Sequence, residues 1–442
     1  MRKWLTIMLA FTLVFSLAAC SGGSNSGGNN VSSNGGSGNS GDGGEQKPVK
    51  LRMAWWGGQP RHDYTLEVIK LYQQENPHVT IEPEYANFDD YWKRLAPQAA
   101  ANELPDIIQM DISYFTQYAQ KGQLADLTPY IGNQINVDNI SENAIAGGKL
   151  DDKIYAFNVG VNTVQFQYNP ETLKKAGIEE IDDENWTWED YVRIAKQVKD
   201  NTGLYFDTGM RPEVFFGYFL RTKGQHLYNA EGTALGYEDD ALFVEFFGRL
   251  AELVKYGAAP APDVKAQIKG PEDDPMVKGT GVGIWQWTNQ YVSIQQIAGV
   301  PLEMLHMPGP DREQGLYLKP SMYFAISKNS KQKEEAAKFI DFWVNNVEAN
   351  KLIKGERGVP VSSVVKDAIK PELDEAQAKV FDYVAWAEEN STPMDPPDPV
   401  GAAEIMNMLK SYSEQMDFQK ITPEEAAKRF REEANAVLGK NK

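Results

Sequence analysis

Only one of the 442 residues is cysteine and only four are histidine. A single thiol closes no disulfide within the chain, so a disulfide-stapled scaffold is excluded. His62, His78, His226 and His306 form neither an HExxH motif nor a close pair, which leaves a zinc site without support. No GxSxG nucleophile turn occurs, and the run Gly279-Thr280-Gly281-Val282-Gly283 lacks the GK[ST] ending of a phosphate loop and reads as a turn. Basic residues are in the minority: 44 Lys and Arg stand against 62 Asp and Glu, a net charge of −18, the wrong sign for a protein that must neutralise nucleic-acid phosphates. From residue 48 onward no apolar run approaches the roughly 20 residues that a membrane-spanning helix needs. What is present in quantity is core material, 42% hydrophobic and 11% aromatic, enough for about two to three domains.

The lone thiol has a telling position. Met1-Arg2-Lys3 is followed by a short apolar run and then by Leu17-Ala18-Ala19-Cys20, which together read as an export signal (1–19). The Leu-Ala-Ala-Cys run resembles a bacterial lipobox, and that resemblance implies cleavage before Cys20 and diacylglycerol on its sulfur. Loss of Arg2 and Lys3 with the leader would take the charge to −20. From Cys20 through residue 47 the chain is mostly Gly, Ser and Asn, with Val31 its only large aliphatic side chain, so nothing there repays the entropy of ordering. A coil of that length reaches roughly 30 Å. The sequence therefore predicts a lipid-anchored tether on the outer face of a cell membrane, carrying a body that begins at residue 48.

In the body, strand and helix patterns alternate. Leu51, Met53 and Trp55 mark a strand ending at Gly57-Gly58. Asp63 is expected to cap a helix through Leu66, Ile69 and Tyr72; a second strand runs from His78 to Tyr85, a helix from Phe88 to Asn102, and a buried strand from Asp106 to Met110. This βαβα order predicts an α/β layer with a parallel or mixed sheet. Ligands of such sheets sit beyond the strands' carboxyl ends, so the loops Trp56 to Arg61, Tyr85 to Asp89 and Asp111 to Tyr114 are expected to share a rim. Farther on, Thr187, Ser330 and Thr422 are expected helix caps, Ala337, Ile340, Val344 and Val347 form one apolar stripe, and no 20- to 50-residue repeat occurs.

Aromatic rings cluster at element ends: Trp55-Trp56, Phe215-Phe216, Trp285 and Trp287, and Tyr323-Phe324. Sugars present apolar C–H faces and hydroxyl edges, so flat rings interleaved with amides and carboxylates suit a carbohydrate. The acidic runs Asp182-Asp183-Glu184 and Glu272-Asp273-Asp274 read as solvated faces, although paired carboxylates leave a surface glycoside hydrolase or lyase as a competing expectation.

The strand ending WWGG followed by Arg61, LPDIIQMD at 104–111, GQLADLTPY at 122–130, IYAFNVGVNTVQFQYN at 154–169, TWED at 187–190 and GIWQWTNQ at 283–290, with the lipobox and tether, resemble the extracellular solute-binding lipoproteins of carbohydrate ABC importers, the family that includes maltose-binding protein. The resemblance covers 48 to 442. It implies a periplasmic-binding-protein-like α/β fold of two lobes, 48–161 plus 326–360 and 162–325 plus 361–442, joined by crossing strands over a ligand cleft. It also implies no catalysis, no metal and no cofactor, a monomer, and an ABC permease as partner. WWGGQPRHDY, FDDYWKRLAP, ENWTWEDY and YFLRTKG look most like binders of pectin fragments, rhamnogalacturonan oligosaccharides in particular; neutral arabino-, xylo- or galacto-oligosaccharides, and non-sugar solutes such as a peptide or glycerol phosphate, stay open. A uronate carboxylate wants an Arg partner, which directs attention to Arg61, Arg211 and Arg357. Carried over by motif position, the contact residues are Trp56, Gln59 and Arg61 after the first strand, Asp111, Ser113 and Tyr114 after the third, Asn162 at the first crossing, Trp285 as the stacking ring with Trp287 turned toward the core, and Tyr323 near the second crossing. Asn87, Arg211 and Phe215 follow from loop location.

Overall fold

The first strand, β1 (Val49–Trp56), is buried on both faces over its second half, because helices cover it from either side. The helix after it, α1 (Gln59–Glu75), starts directly behind Gly58 with Pro60 in its first turn. Proline's fixed φ is preorganised for that position, so Asp63 lies inside the helix rather than capping it. In β2 (Val79–Ala86) only Val79 and Ile81 are buried, as befits an edge strand that also tolerates Pro83. Asn87 caps α2 (Phe88–Ala100) by accepting from the Asp90 amide. The four residues of β3 (Ile107–Met110) are all buried, and Asp111 caps α3 (Ile112–Gln120) through the Ser113 amide.

In this computed structural model, which describes residues 47–441 with residue 269 excepted, β1 pairs in parallel with both β2 and β3. The strand Tyr323–Ile326 adds antiparallel to β3, and Phe157–Asn158 closes the five-stranded mixed sheet. The leader, Cys20 and the Gly/Ser segment to residue 46 lie outside the described residues. A second, three-stranded antiparallel sheet orders Glu303–Leu305, Val164–Tyr168 and Gly283–Trp287. It carries its own core, in which Phe216, Phe243, Phe246 and Phe247 from two helices meet Phe430 from Pro423–Leu438.

Two strands cross between the cores side by side. Val161–Asn162 pairs antiparallel with Lys319–Pro320, and Val161 also bridges Val359 on a third passage. The packing is tight: a Cβ on Gly160 would stand 2.3 Å from the Arg357 carbonyl oxygen, and Gly358 takes φ 92°, a conformation that only glycine adopts freely. Ser321 ties the passages together, its hydroxyl donating to the carbonyls of Gly160 and Arg357.

Several local expectations change. Ser330 does not cap the helix Lys333–Asn345; Gln332 precedes it, and the Ser330 hydroxyl is bound to Asp106. Val347 begins a new helix, because Asn346 ends the first and caps the second. Val365, Ile369, Val380 and Val384, expected with the second lobe, pack in the first core. Thr187 does form a capping box with Asp190, and Thr422 accepts from the Glu425 amide.

Candidate functional site

Parallel pairing of β1 with β2 and β3 sets their carboxyl ends along one edge, and the rim is aromatic. Trp56 is buried against Phe88, Tyr91 and Trp92, while Tyr114 stacks on Trp92 with centroids 3.7 Å apart. Phe88 is left 40% exposed above them and Tyr114 is half-buried, so these two rings, rather than Trp56, offer surface. Gln59 donates to Asp63 at 2.7 Å, Asn87 is exposed as a helix cap, and Ser113 is exposed on the first turn of α3.

Two of the three arginines singled out for a carboxylate ligand are already engaged. Arg61 forms a bidentate pair with Glu356, at 2.8 and 2.9 Å, and Tyr64 donates to the same carboxylate. Arg357 is completely buried between Trp343 and Phe324 and donates to Gln109, Tyr64 and Thr65. Burial draws its guanidinium down to about 10. Both therefore brace the third passage against α1, and neither presents a free fork. Arg211, at the start of the helix Pro212–Thr222, is exposed; its carbonyl accepts from the Val214 and Phe215 amides, and its side chain has no ion-pair or hydrogen-bond partner among the described residues.

In the second lobe Trp285 is 1% exposed, with its indole N–H on Asp207 at 2.6 Å and its ring against Phe166, Tyr191 and Phe215. Phe215 is fully buried beside it. Both are core, and the expectation of Trp285 as the stacking ring is corrected. The reason is depth along the strand. Residues two apart share a face of the sheet, so Trp285 and Trp287 point the same way; Trp285, opposite Phe166, is covered by helices, whereas Trp287, opposite Val164 at the strand's end, reaches the crossing and stays half-exposed. Tyr323 is likewise fully buried, its hydroxyl donating to the Gly147 carbonyl.

At the crossing the chain assembles a second set of polar groups. Asn162 lies directly opposite Lys319 in the antiparallel pair, which puts both side chains on one face. Asn162 is buried and its Oδ1 has no partner, a cost that a ligand hydroxyl would relieve. The Lys319 ammonium sits 5.3 Å from the Trp287 ring centroid, and Tyr317 meets that ring edge-on at 6.2 Å. Burial pulls Lys319 below its ordinary pKa, with Arg211 adding to the pull and Asp111 and Asp398 opposing it. Asp398 is open to solvent, yet the protein around it raises its carboxyl, Lys319 working the other way. Groups that solvent reaches and protein nonetheless desolvates are what a cleft lining requires. Trp287, Tyr317, Lys319 and Asp398 line a cavity of about 400 Å³, joined by Ile112 from the first lobe.

Of the residues expected from sequence, this region brings together Asp111, Asn162 and Arg211, whereas Phe215, Trp285, Tyr323 and Arg357 go to cores. The two-residue strand period sets Trp287 on the same face as Trp285 and does not separate the free ring from the buried one. Lys319 and Asp398 left no local signal, since their partners lie far away in the chain. No cluster of His, Cys, Asp and Glu among the described residues is arranged to hold a metal ion.

Comparison with known proteins agrees with this architecture. Residues 67–380 match the model of the bacterial extracellular solute-binding proteins. An extracellular solute-binding protein of family 1 from Alicyclobacillus acidocaldarius is 32% identical with a TM-score of 0.74, covering 89% of this chain and 100% of that one. A periplasmic oligogalacturonide-binding protein of Yersinia enterocolitica, in complex with saturated digalacturonic acid, shares the fold at TM-score 0.74 and 22% identity, covering 89% and 99%. The arabinooligosaccharide-binding protein of Bacillus subtilis is 26% identical over 166 residues, 36% of this chain and 37% of that one.

Proposed function

The chain belongs to the bacterial extracellular solute-binding proteins, a family of binding proteins rather than enzymes, and from that premise we propose that it captures an oligosaccharide between its lobes and hands it to an ABC importer. The observation that carries this reading is the convergence at the crossing of a half-exposed Trp287, the orphaned Asn162 amide oxygen and the cations Lys319 and Arg211. An aromatic face holds a sugar ring, and the amide and charges select its edges. A ligand touching both lobes favours the closed state by the contacts that only closure makes. The importer's permease would read that closed state.

The ligand we propose is a pectin-derived fragment containing a uronate, with Arg211 and Lys319 as its carboxylate partners. Arg211 is an exposed cation acting on Lys319 near the crossing, and its side chain has no ion-pair partner among the described residues; a protein of this fold is known in complex with digalacturonic acid. A second reading, a neutral arabino-, xylo- or galacto-oligosaccharide, draws on the carboxylates of Asp111 and Asp398 beside Lys319 and on the arabinooligosaccharide-binding relative. Thermal-shift and calorimetric titration with unsaturated rhamnogalacturonan disaccharide beside neutral pentose and hexose oligomers separates the two. A ligand at 100 times its Kd stabilises by about 2.7 kcal/mol. Under the pectin reading Arg211→Ala weakens uronate binding at least tenfold and Arg61→Ala acts through stability; equal affinity of wild type and Arg211→Ala for the disaccharide would refute it.

We also propose that Cys20 carries the lipid that keeps the protein at the outer membrane surface. Two or more acyl chains anchor firmly where one does not. Cys20→Ser should move the protein from the membrane fraction to the medium, and retention of the variant on the membrane would count against the anchor.

A further inference from the structure

Arg221 lies in the last turn of the helix Pro212–Thr222 at the edge of the Trp287 cavity, and its side chain is only 4% exposed. The guanidinium clamps remote stretches of chain together. Its Nη1 donates to Asp395, its Nη2 to the Thr392 hydroxyl and the Pro393 carbonyl at 2.5 and 2.9 Å, and its Nε to the Gly315 carbonyl at 3.2 Å. Residues 391–399 form neither helix nor strand and include Pro393, Pro396, Pro397 and Pro399, so this wall of the cavity is stiff and follows its anchor. That anchor is Arg221. The Thr392 amide also donates to the Leu316 carbonyl at 3.0 Å, tying the same segment to the chain that leads into Lys319.

The clamp reaches the free ring through Tyr317. The Arg221 guanidinium lies 5.1 Å from the Tyr317 ring centroid, Tyr317 meets Trp287 edge-on at 6.2 Å, and the Lys319 ammonium stands 5.3 Å from Trp287. Cation, ring, ring and cation follow one another along the cavity. The charge of Arg221 is answered by Asp395, whose carboxylate also meets His226 Nδ1 at 2.9 Å. Trp287 sits half-exposed at the end of its strand, where these neighbours rather than a core set its orientation. A ring fixed before the ligand arrives relieves binding of the entropy of ordering it.

Resting on the oligosaccharide reading above, we propose that Arg221 is a positioning residue of the sugar site: by fixing Tyr317 it orients Trp287 for stacking, and it makes no sugar contact itself. The effect belongs to stacking rather than to charge. It therefore extends to uronate-bearing and neutral sugars alike.

A double-mutant cycle followed by calorimetry on the full mature chain tests this, with unsaturated rhamnogalacturonan disaccharide and the neutral pentose and hexose oligomers as probes. Arg221→Lys keeps the charge and loses the fork; it should weaken any probe that binds about three- to tenfold, the range that ordering one side chain represents. In the Trp287→Ala background the same change should matter less than twofold, because the ring it orients is gone. Asp395→Asn, at a side chain 36% exposed, loosens the clamp with less risk to folding and should give a smaller loss with the same dependence on Trp287. Melting curves establish that each variant is folded. A loss undiminished in Trp287→Ala, as general damage to the fold would produce, overturns the positioning role, and so does wild-type affinity in the folded variants. Where both kinds of sugar bind, a loss confined to the uronate overturns it too, by making Arg221 a direct charge contact. Each of these outcomes leaves the oligosaccharide reading intact, whereas silence of the wild type toward every probe overturns that reading and the positioning role with it.

Discussion

Trp285 and Trp287 show how much a residue's role depends on position along an element whose sequence is nearly uniform. They share a strand and a face, yet one donates to a buried Asp207 and the other meets Lys319 at the crossing. Trp287→Ala should therefore weaken oligosaccharide binding about tenfold, or about 1.4 kcal/mol, at nearly unchanged melting temperature. Trp285→Ala should instead destabilise the fold by about 3–5 kcal/mol, as large-to-small core changes do; denaturant titration beside calorimetry distinguishes them. Asp274 offers a pH handle at the same scale. It is 3% exposed and accepts from the Met276 amide, and burial pushes its carboxyl up to about 6 from an ordinary 3.8. Below pH 4 both folded and unfolded chains hold this proton. Between about 4 and 6 the folded chain keeps it while the unfolded chain has lost it, so the group's contribution to stability declines as pH rises, by on the order of 2–3 kcal/mol at neutral pH. Asp274→Asn should flatten the pH dependence of the denaturation midpoint between about pH 4 and 6, and an unaltered slope would rule this out.

At the scale of elements, the decisive contacts are among the three passages between the cores. Ser321 binds the carbonyls of Gly160 and Arg357, and Val161 pairs with both Pro320 and Val359. Gly160→Ala would drive a methyl into the Arg357 carbonyl. Overpacking of this kind costs about 1–3 kcal/mol, so the variant should melt several degrees lower and bind ligand with altered affinity, because the same backbone sets the angle between lobes. Melting and calorimetry on one preparation check both effects. The strands and helices themselves were largely legible in the chain: β1, β3 and the helix opened by Thr187 follow from hydrophobic period and cap chemistry alone. The start of α1 at Gln59 and the break at Asn346 were less so, since proline in a first turn and an asparagine serving two helices at once compete with the obvious signals.

For the whole molecule, the net charge of −18 acquires a local meaning. Among the described residues the Arg211 side chain has no ion-pair partner, and it acts on Lys319 at the crossing, so a local positive charge stands within an acidic body. The field of the whole body opposes an acidic ligand, and uronate association should accelerate with added salt if that field governs approach. Stopped-flow association at low and high ionic strength measures this; a rate that falls with salt would indicate that the cations at the crossing dominate.

Composition, period and motif determined by themselves the α/β class, the alternation of elements and the rim where β1, β2 and β3 end, because each is written in residues adjacent in the chain. Which aromatic is free, which arginine is unpaired and which carboxylate lies beside Lys319 were decided only in three dimensions. Local period reports the face a side chain takes, whereas depth and polar pairing are set by partners from remote segments: Glu356 for Arg61 and Gln109 for Arg357.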